Sequence, residues 1–142
     1  MTTVLAHGCF DLLHVGHIRF LRAARALGDR LVVSITADAF INKGPGHPLF
    51  NQWQRQEILL GLRDVDEVYV SYESTGVTAI NTICPDIYAK GGDYANGDIS
   101  GQLELERKAV EACRGKLVIV PGLQKFSSTT YIKRLHELER TV

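Results

Sequence analysis

Two imidazoles stand three residues apart in the run Gly8-Cys9-Phe10-Asp11-Leu12-Leu13-His14-Val15-Gly16-His17, at what the hydrophobic pattern makes the junction of a turn and a helix. Exposed N–H groups and the dipole at a helix start favour an anion, and His14 and His17 add groups that donate hydrogen bonds or share protons as charge develops. Gly16 lets phosphate oxygens approach closely because no Cβ stands in the way, and Gly8 serves the turn. The chemistry outlined is that of phosphate. Two other readings use the same residues. His14 capping a turn while His17 begins a helix needs no ligand. Cys9, Asp11, His14 and His17 are also permissible metal ligands, although crowded and without a distant partner. Spacing alone does not choose among the three.

Such a turn needs a strand before it and a helix after it. Val4-Leu5-Ala6 is a short apolar run that stops at Gly8, and Ile18, Leu21, Ala24 and Leu27 then recur at helical spacing from His17 to Leu27. Gly28-Asp29 closes that helix, and Leu31 to Ile35 is a nearly continuous apolar strand of the kind that helices cover on both faces. Residues 42–48, Asn-Lys-Gly-Pro-Gly-His-Pro, form a turn-rich, mobile loop before a helix carrying Phe50, Trp53, Ile58, Leu59 and Leu62. Val65 to Val70 reads as a strand, Val77 to Ile83 as a short helix, and Asp86 to Ala89 as a strand ending at Lys90-Gly91-Gly92-Asp93. Gln102 to Cys113 reads as helix, Lys116 to Val120 as strand, and Ser127 or Ser128 as the cap of a last helix with Tyr131, Ile132, Leu135 and Leu138. No repeat or linker interrupts the alternation. It predicts a single α/β domain over residues 1–142, a parallel five-stranded sheet with helices on both faces. Ligands of such sheets bind beyond the carboxyl ends of the strands, where Gly8 to His17, Lys90 to Tyr94 and Gln124 to Thr130 all emerge.

Composition narrows the partners. The 142 residues are 45% hydrophobic and 23% charged, so the chain carries enough apolar surface to fold throughout. Sixteen Lys plus Arg balance sixteen Asp plus Glu, which leaves no global positive charge to draw in nucleic acid or an anionic membrane. No segment reaches the roughly eighteen apolar residues of a membrane span, and the first ten residues lack a secretory pattern. Cys9, Cys84 and Cys113 are widely spaced and odd in number, which suggests reduced thiols in a cytoplasmic protein.

The run from Gly8 to His17 resembles the H-x-G-H signature of the cytidylyltransferase-like nucleotidyltransferase family. The likeness continues through Gln54-Arg55, Lys90-Gly91-Gly92-Asp93-Tyr94 and Ser128-Thr129-Thr130. The resemblance implies a Rossmann-like fold and an enzyme that joins a nucleoside monophosphate to a small phosphate compound, releasing pyrophosphate. It implies that His14 and His17 contact the reacting phosphates, together with Ser128, Thr129 and Thr130 at a helix start. It places Lys43 in a loop whose lysine reaches those phosphates, and Arg55 and Asp11 as groups that bind phosphate, orient the acceptor or support the site. Gly8, Cys9, Phe10, Gly16, Lys90, Gly91, Gly92 and Asp93 would frame the nucleotide. Mg²⁺ would arrive with the triphosphate, held mainly by its oxygens, and two copies of the chain would pair.

Glycines at both positions after Lys90 make the chain look more like the branch that adenylylates heptose 1-phosphate than like cytidylyltransferases acting on glycerol or choline phosphates. Leu123-Gln124-Lys125-Phe126 also stands where the latter carry an Arg-Thr-x-Gly run. Lys125 and Phe126 depart from the heptose pattern too, which has an acidic residue and a glycine there. The expectation is AMP transfer from ATP to a sugar 1-phosphate. The alternatives are CMP transfer from CTP to a polyol, sugar or amino-alcohol phosphate, and a noncatalytic nucleotide-binding protein.

Overall fold

The computed structural model describes residues 1–91, 101–120 and 128–140, with the side chains of Ser128 and Thr129 left out. The chain runs β1 (Thr3–Gly8), α1 (Val15–Arg25), β2 (Arg30–Thr36), a 3₁₀ turn (Asp38–Phe40), α2 (Gln52–Leu60), β3 (Glu67–Ser71), α3 (Val77–Ile83), β4 (Ile87–Gly91), α4 (Gln102–Ala112), β5 (Lys116–Val120) and α5 (Ser128–Arg140). All strand pairings are parallel, in the order β3-β2-β1-β4-β5. The chain winds outward from β1 through β2 and β3, then crosses back to lay β4 on the other side of β1. The carboxyl ends of β1 and β4 therefore flank the point where the winding reverses, the place at which sheets of this kind hold their ligands.

The apolar runs are continuous because both faces of the sheet are covered. Val4, Ala6, Leu31, Val33, Ile35 and Ala89 pack on one side with Leu21 and Ala24 of α1 and Leu59 of α2. Leu5, Val32 and Tyr88 pack on the other with Ala79 and Ile80 of α3 and Val110 of α4. Alternate residues of a strand serve opposite faces, so both parities must be apolar. This is the Rossmann-like arrangement, with helices on both faces, that the sequence predicts.

Three local differences have physical causes. Helix α1 begins at Val15, not at His17, because His14 caps it. Strand β4 continues past Ala89 to pair Lys90 with Ile119 and Gly91 with Val120, so Lys90 belongs to the sheet and not to a turn. The expectation of three free thiols is overturned: Cys84 and Cys113 form a disulfide, their Cα atoms 5.3 Å apart, and only Cys9 is free. These two residues cap the C-termini of α3 and α4, which lie side by side on one face. Helix packing, not sequence spacing, brings them together.

Candidate active site

The turn after β1 is built from its own side chains. Gly8 leaves room for the Phe10 ring, which would come within 3.0 Å of a Cβ there, and Phe10 itself is buried at a left-handed φ of 52°. His14 caps α1 by accepting a hydrogen bond from the Gly16 N–H on Nδ1 at 3.1 Å. The His14 N–H in turn donates to Nδ1 of His17, also at 3.1 Å. Both rings thus use Nδ1 as an acceptor, and a neutral imidazole in that state carries its proton on Nε2. The two rings stack with centroids 3.9 Å apart.

Phe10 lies against His17 at 5.2 Å, and Tyr131 of α5 against His14 at 5.3 Å, which brings the start of the last helix to the same end of the sheet as the histidine turn. Beside His14 a cavity of about 390 Å³ opens between Leu12, Leu13, Tyr131, Arg134 and Leu135. Burial lowers the pKa of both imidazoles, that of His17 to about 4, with the charges of His14 and Lys43 adding to the latter. At neutral pH the site therefore presents uncharged hydrogen-bond donors. Lys43 is exposed in the turn-rich segment, close enough for its charge to bear on His17.

Asp11 and Arg55 occupy the same region differently. Asp11 is 2% exposed; one carboxylate oxygen accepts from the Leu49 N–H at 2.5 Å and the other from the Phe50 N–H at 2.9 Å. Arg55 is equally buried, and each of its nitrogens has a protein acceptor: Nε the Phe50 carbonyl at 3.0 Å, Nη1 the Cys9 carbonyl at 2.9 Å, Nη2 the Asp38 carboxylate at 2.7 Å. Together they bolt the β1 turn, the 3₁₀ turn and the entry to α2 into one unit. These bonds all go to protein groups, so the geometry of the pair supports the site from beneath.

Across β1, the opposite face of the sheet turns polar at its carboxyl end. His7 is 7% exposed, its Nδ1 2.6 Å from Ser34 Oγ, and burial holds its pKa near 3, the Lys90 charge lowering it further and Glu73 opposing. Lys90 is also buried, its Nζ 3.5 Å from Glu106 Oε2, an oxygen that accepts from the Tyr88 hydroxyl at 2.6 Å. Gly91 ends β4 beside it with open space where a Cβ would sit. Thr130 is exposed in the first turn of α5. Gly92 and Asp93, and the 124–127 segment, lie outside the described residues.

The structure thus gathers Gly8, Cys9, Phe10, Asp11, His14, Gly16 and His17 with Arg55 and the start of α5, and sets Lys90 and Gly91 at the end of the strand next to β1. Sequence reasoning missed Tyr131 as a wall of the site and His7, Tyr88 and Glu106 as its buried neighbours. His7 left one signal, a polar residue closing an otherwise apolar strand. Glu106 left none, because it stands among the surface charges of α4.

Residues 5–135 match the cytidylyltransferase-like family. Bifunctional protein HldE of Syntrophotalea carbinolica is 40% identical over 136 residues, which are 94% of this chain and 27% of that protein. The chain thus spans about a quarter of the length of the curated relatives it matches. Among solved structures, the lipopolysaccharide core biosynthesis protein of Thermoplasma volcanium superposes with a TM-score of 0.69 at 28% identity, covering 89% of this chain and 99% of that one. Pantothenate synthetase of Thermus thermophilus shares the fold alone, with a TM-score of 0.62 at 17% identity over 92% of this chain and 61% of that one.

Proposed function

This chain belongs to the cytidylyltransferase-like family and is an enzyme of the nucleotidyltransferase type, and from that premise we propose that it moves AMP from ATP to a sugar 1-phosphate, releasing pyrophosphate. The observation that carries the proposal is the pair of stacked, neutral imidazoles fixed by Nδ1 at the start of α1, where the winding of the sheet reverses. A phosphate oxygen of the acceptor, already anionic, attacks the α-phosphorus; the bond from that phosphorus to the bridging oxygen breaks, and its electrons leave with pyrophosphate. No base is needed. Charge grows on the phosphoryl oxygens and the leaving group, and His14 and His17, their rings fixed at Nδ1 before the reaction begins, stabilise it through Nε2–H at little reorganisation cost. The Lys43 charge and the N-terminus of α5, with Ser128, Thr129 and Thr130, add to the same field.

Asp11 and Arg55 serve by fixing the turn that carries the histidines, and Lys90, Gly91, Gly92 and Asp93 line the nucleotide. The sugar acceptor and the preference for ATP rest on the identity to proteins named HldE, on the likeness to a lipopolysaccharide core biosynthesis protein and on the Lys-Gly-Gly-Asp-Tyr run. Among the described residues no three His, Cys, Asp or Glu side chains gather as a metal site. Mg²⁺ would arrive with the triphosphate, as part of the substrate, held mainly by the phosphate oxygens. No helix among the described residues is long and apolar enough to cross a membrane. The cytoplasm and a pair of chains are proposed on the family resemblance, since the Cys84–Cys113 disulfide removes the reduced thiols as a ground for the former.

Incubating the purified chain with each NTP against a panel of phosphate esters, and measuring pyrophosphate, tests the reading. Release with ATP and a sugar 1-phosphate is expected. Activity confined to CTP would reject the base assignment. Nucleotide binding without turnover on any ester would favour the noncatalytic alternative.

A further inference from the structure

Helix α4 carries two kinds of glutamate. Glu104 and Glu111 face solvent and pair with Arg107 one turn away, the ordinary use of charge on a helix surface. Glu106 is fully buried beside Val110, on the side that packs against the sheet. Its Oε2 takes both the Tyr88 hydroxyl, at 2.6 Å, and the Lys90 ammonium, at 3.5 Å, while Gln102 Nε2 lies 3.4 Å from Oε1. Tyr88 and Lys90 stand two residues apart on β4 and so face the same way. Helix α3 yields to this cluster: a Cβ on Gly76, the residue before its first turn, would come 2.4 Å from the Tyr88 hydroxyl and 3.3 Å from Glu106.

Three elements thus give up ordinary packing to bury one ion pair. Apolar residues of similar volume would hold the same elements together at least as well, since a buried ion pair repays its desolvation poorly. What apolar residues would not do is fix an ammonium group. That group sits at the carboxyl end of β4, on the strand paired with β1; its charge bears on His7 in β1, just before the histidine turn. We propose that Glu106, supported by the Tyr88 hydroxyl, is a positioning residue that acts through Lys90, holding its ammonium at the end of β4 where the nucleotide binds. This rests on the assignment of Lys90 to the nucleotide site made above.

A double-mutant cycle on binding tests it. The probe is α,β-methylene-ATP with Mg²⁺, titrated calorimetrically into the full chain, with thermal unfolding recorded for every variant. Lys90→Met is expected to weaken binding, Glu106→Gln to weaken it about tenfold, and the double variant to bind within about twofold of Lys90→Met alone, since a residue that acts only through Lys90 has nothing left to act on. Additive losses would overturn the inference. Weakening by Lys90→Met with none from Glu106→Gln would overturn it while leaving Lys90 in the site. Unchanged binding in Lys90→Met would overturn both.

Tyr88→Phe keeps both charges and removes one hydrogen bond, so it serves should Glu106→Gln fail to fold. It is expected to weaken binding about two- to threefold. Unchanged affinity with a lowered unfolding temperature would show a structural role alone and overturn the proposal.

Discussion

Asp11 and Arg55 on one side, His14 and His17 on the other, belong to the same small region, and all four are polar residues whose types suggest contact with substrate or support of the groups that make it. The protein uses the two pairs in opposite ways. Asp11 and Arg55 are buried, and both carboxylate oxygens and all three guanidinium nitrogens are bonded to this chain. The histidines are only half-buried and are each fixed by Nδ1, which orients the ring and determines where its proton resides. A side chain whose donors and acceptors are consumed internally builds the site. The histidines, each bonded at Nδ1, are the ones proposed above to meet the substrate. Residue type does not distinguish these uses; the bonding of each atom does.

The comparison breaks or holds according to where each substitution acts. The largest effect is expected for His14→Ala and His17→Ala, which should each lower turnover by about 10²- to 10⁴-fold in a pyrophosphate assay. Their stability should fall by only about 1 kcal/mol, the size of a lost cap. Loss of folding in step with activity would place the histidines with the other pair. Arg55→Met should lower stability in urea by about 3 kcal/mol, because it leaves two carbonyls and the Asp38 carboxylate without their shared partner. A stable Arg55→Met variant with weakened nucleotide binding would instead move Arg55 to the substrate side.

Asp11→Ala should cost about 1–3 kcal/mol by stripping the Leu49 and Phe50 N–H groups of their acceptors. Acid should reveal the buried imidazoles. His7 and His17 are held near pKa 3 and 4 in the folded chain and return to about 6.5 when unfolded. The unfolded state therefore binds more protons in that interval, and stability is lost as pH falls from about 6.5 towards 4 and then 3, each group contributing a slope of up to about 1.4 kcal/mol per pH unit. Urea unfolding at pH 7, 6 and 5 should show the decline, and His7→Gln should flatten it. The smallest effect is expected at the entry to α2, where Asn51 and Gln54 exchange side-chain-to-backbone bonds; Asn51→Ala should cost about 1 kcal/mol in the same assay and leave turnover unchanged.

The sheet was legible because burial on both faces writes itself into continuous apolar runs such as Leu31 to Ile35. The histidine turn was legible as the start of a helix, while its spacing alone left capping, metal and phosphate readings open and only the family resemblance chose among them. Where a polar residue points was not legible. Asp11 and Arg55 meet on the backbone of Phe50, and the Asp11 bonds to residues 49–50 and the Arg55 bond to Cys9 reach across about forty residues and leave no local pattern. Glu106 sits in a charged stretch of helix whose other members are solvated, so nothing in its neighbours marks it as buried. Cys84 and Cys113 meet only because two helices packed side by side end at the same level. These misses concern side-chain partners distant in sequence; the elements differ at their edges, where α1 starts at Val15 and β4 runs on to Gly91, and in the short 3₁₀ turn Asp38–Phe40.

The segment between Asp38 and Leu49 is anchored at both ends, by Arg55 at one and by Asp11 at the other. Lys43 therefore rides on a closed tether whose span is set by the frame and whose interior is largely exposed, free of packing duties. Such a stretch should tolerate changes of length and composition without disturbing the scaffold below, which urea unfolding of a variant shortened within residues 42–46 would check. The imidazole pair, carried by the other side of the same frame, should stay where it is when that stretch is altered.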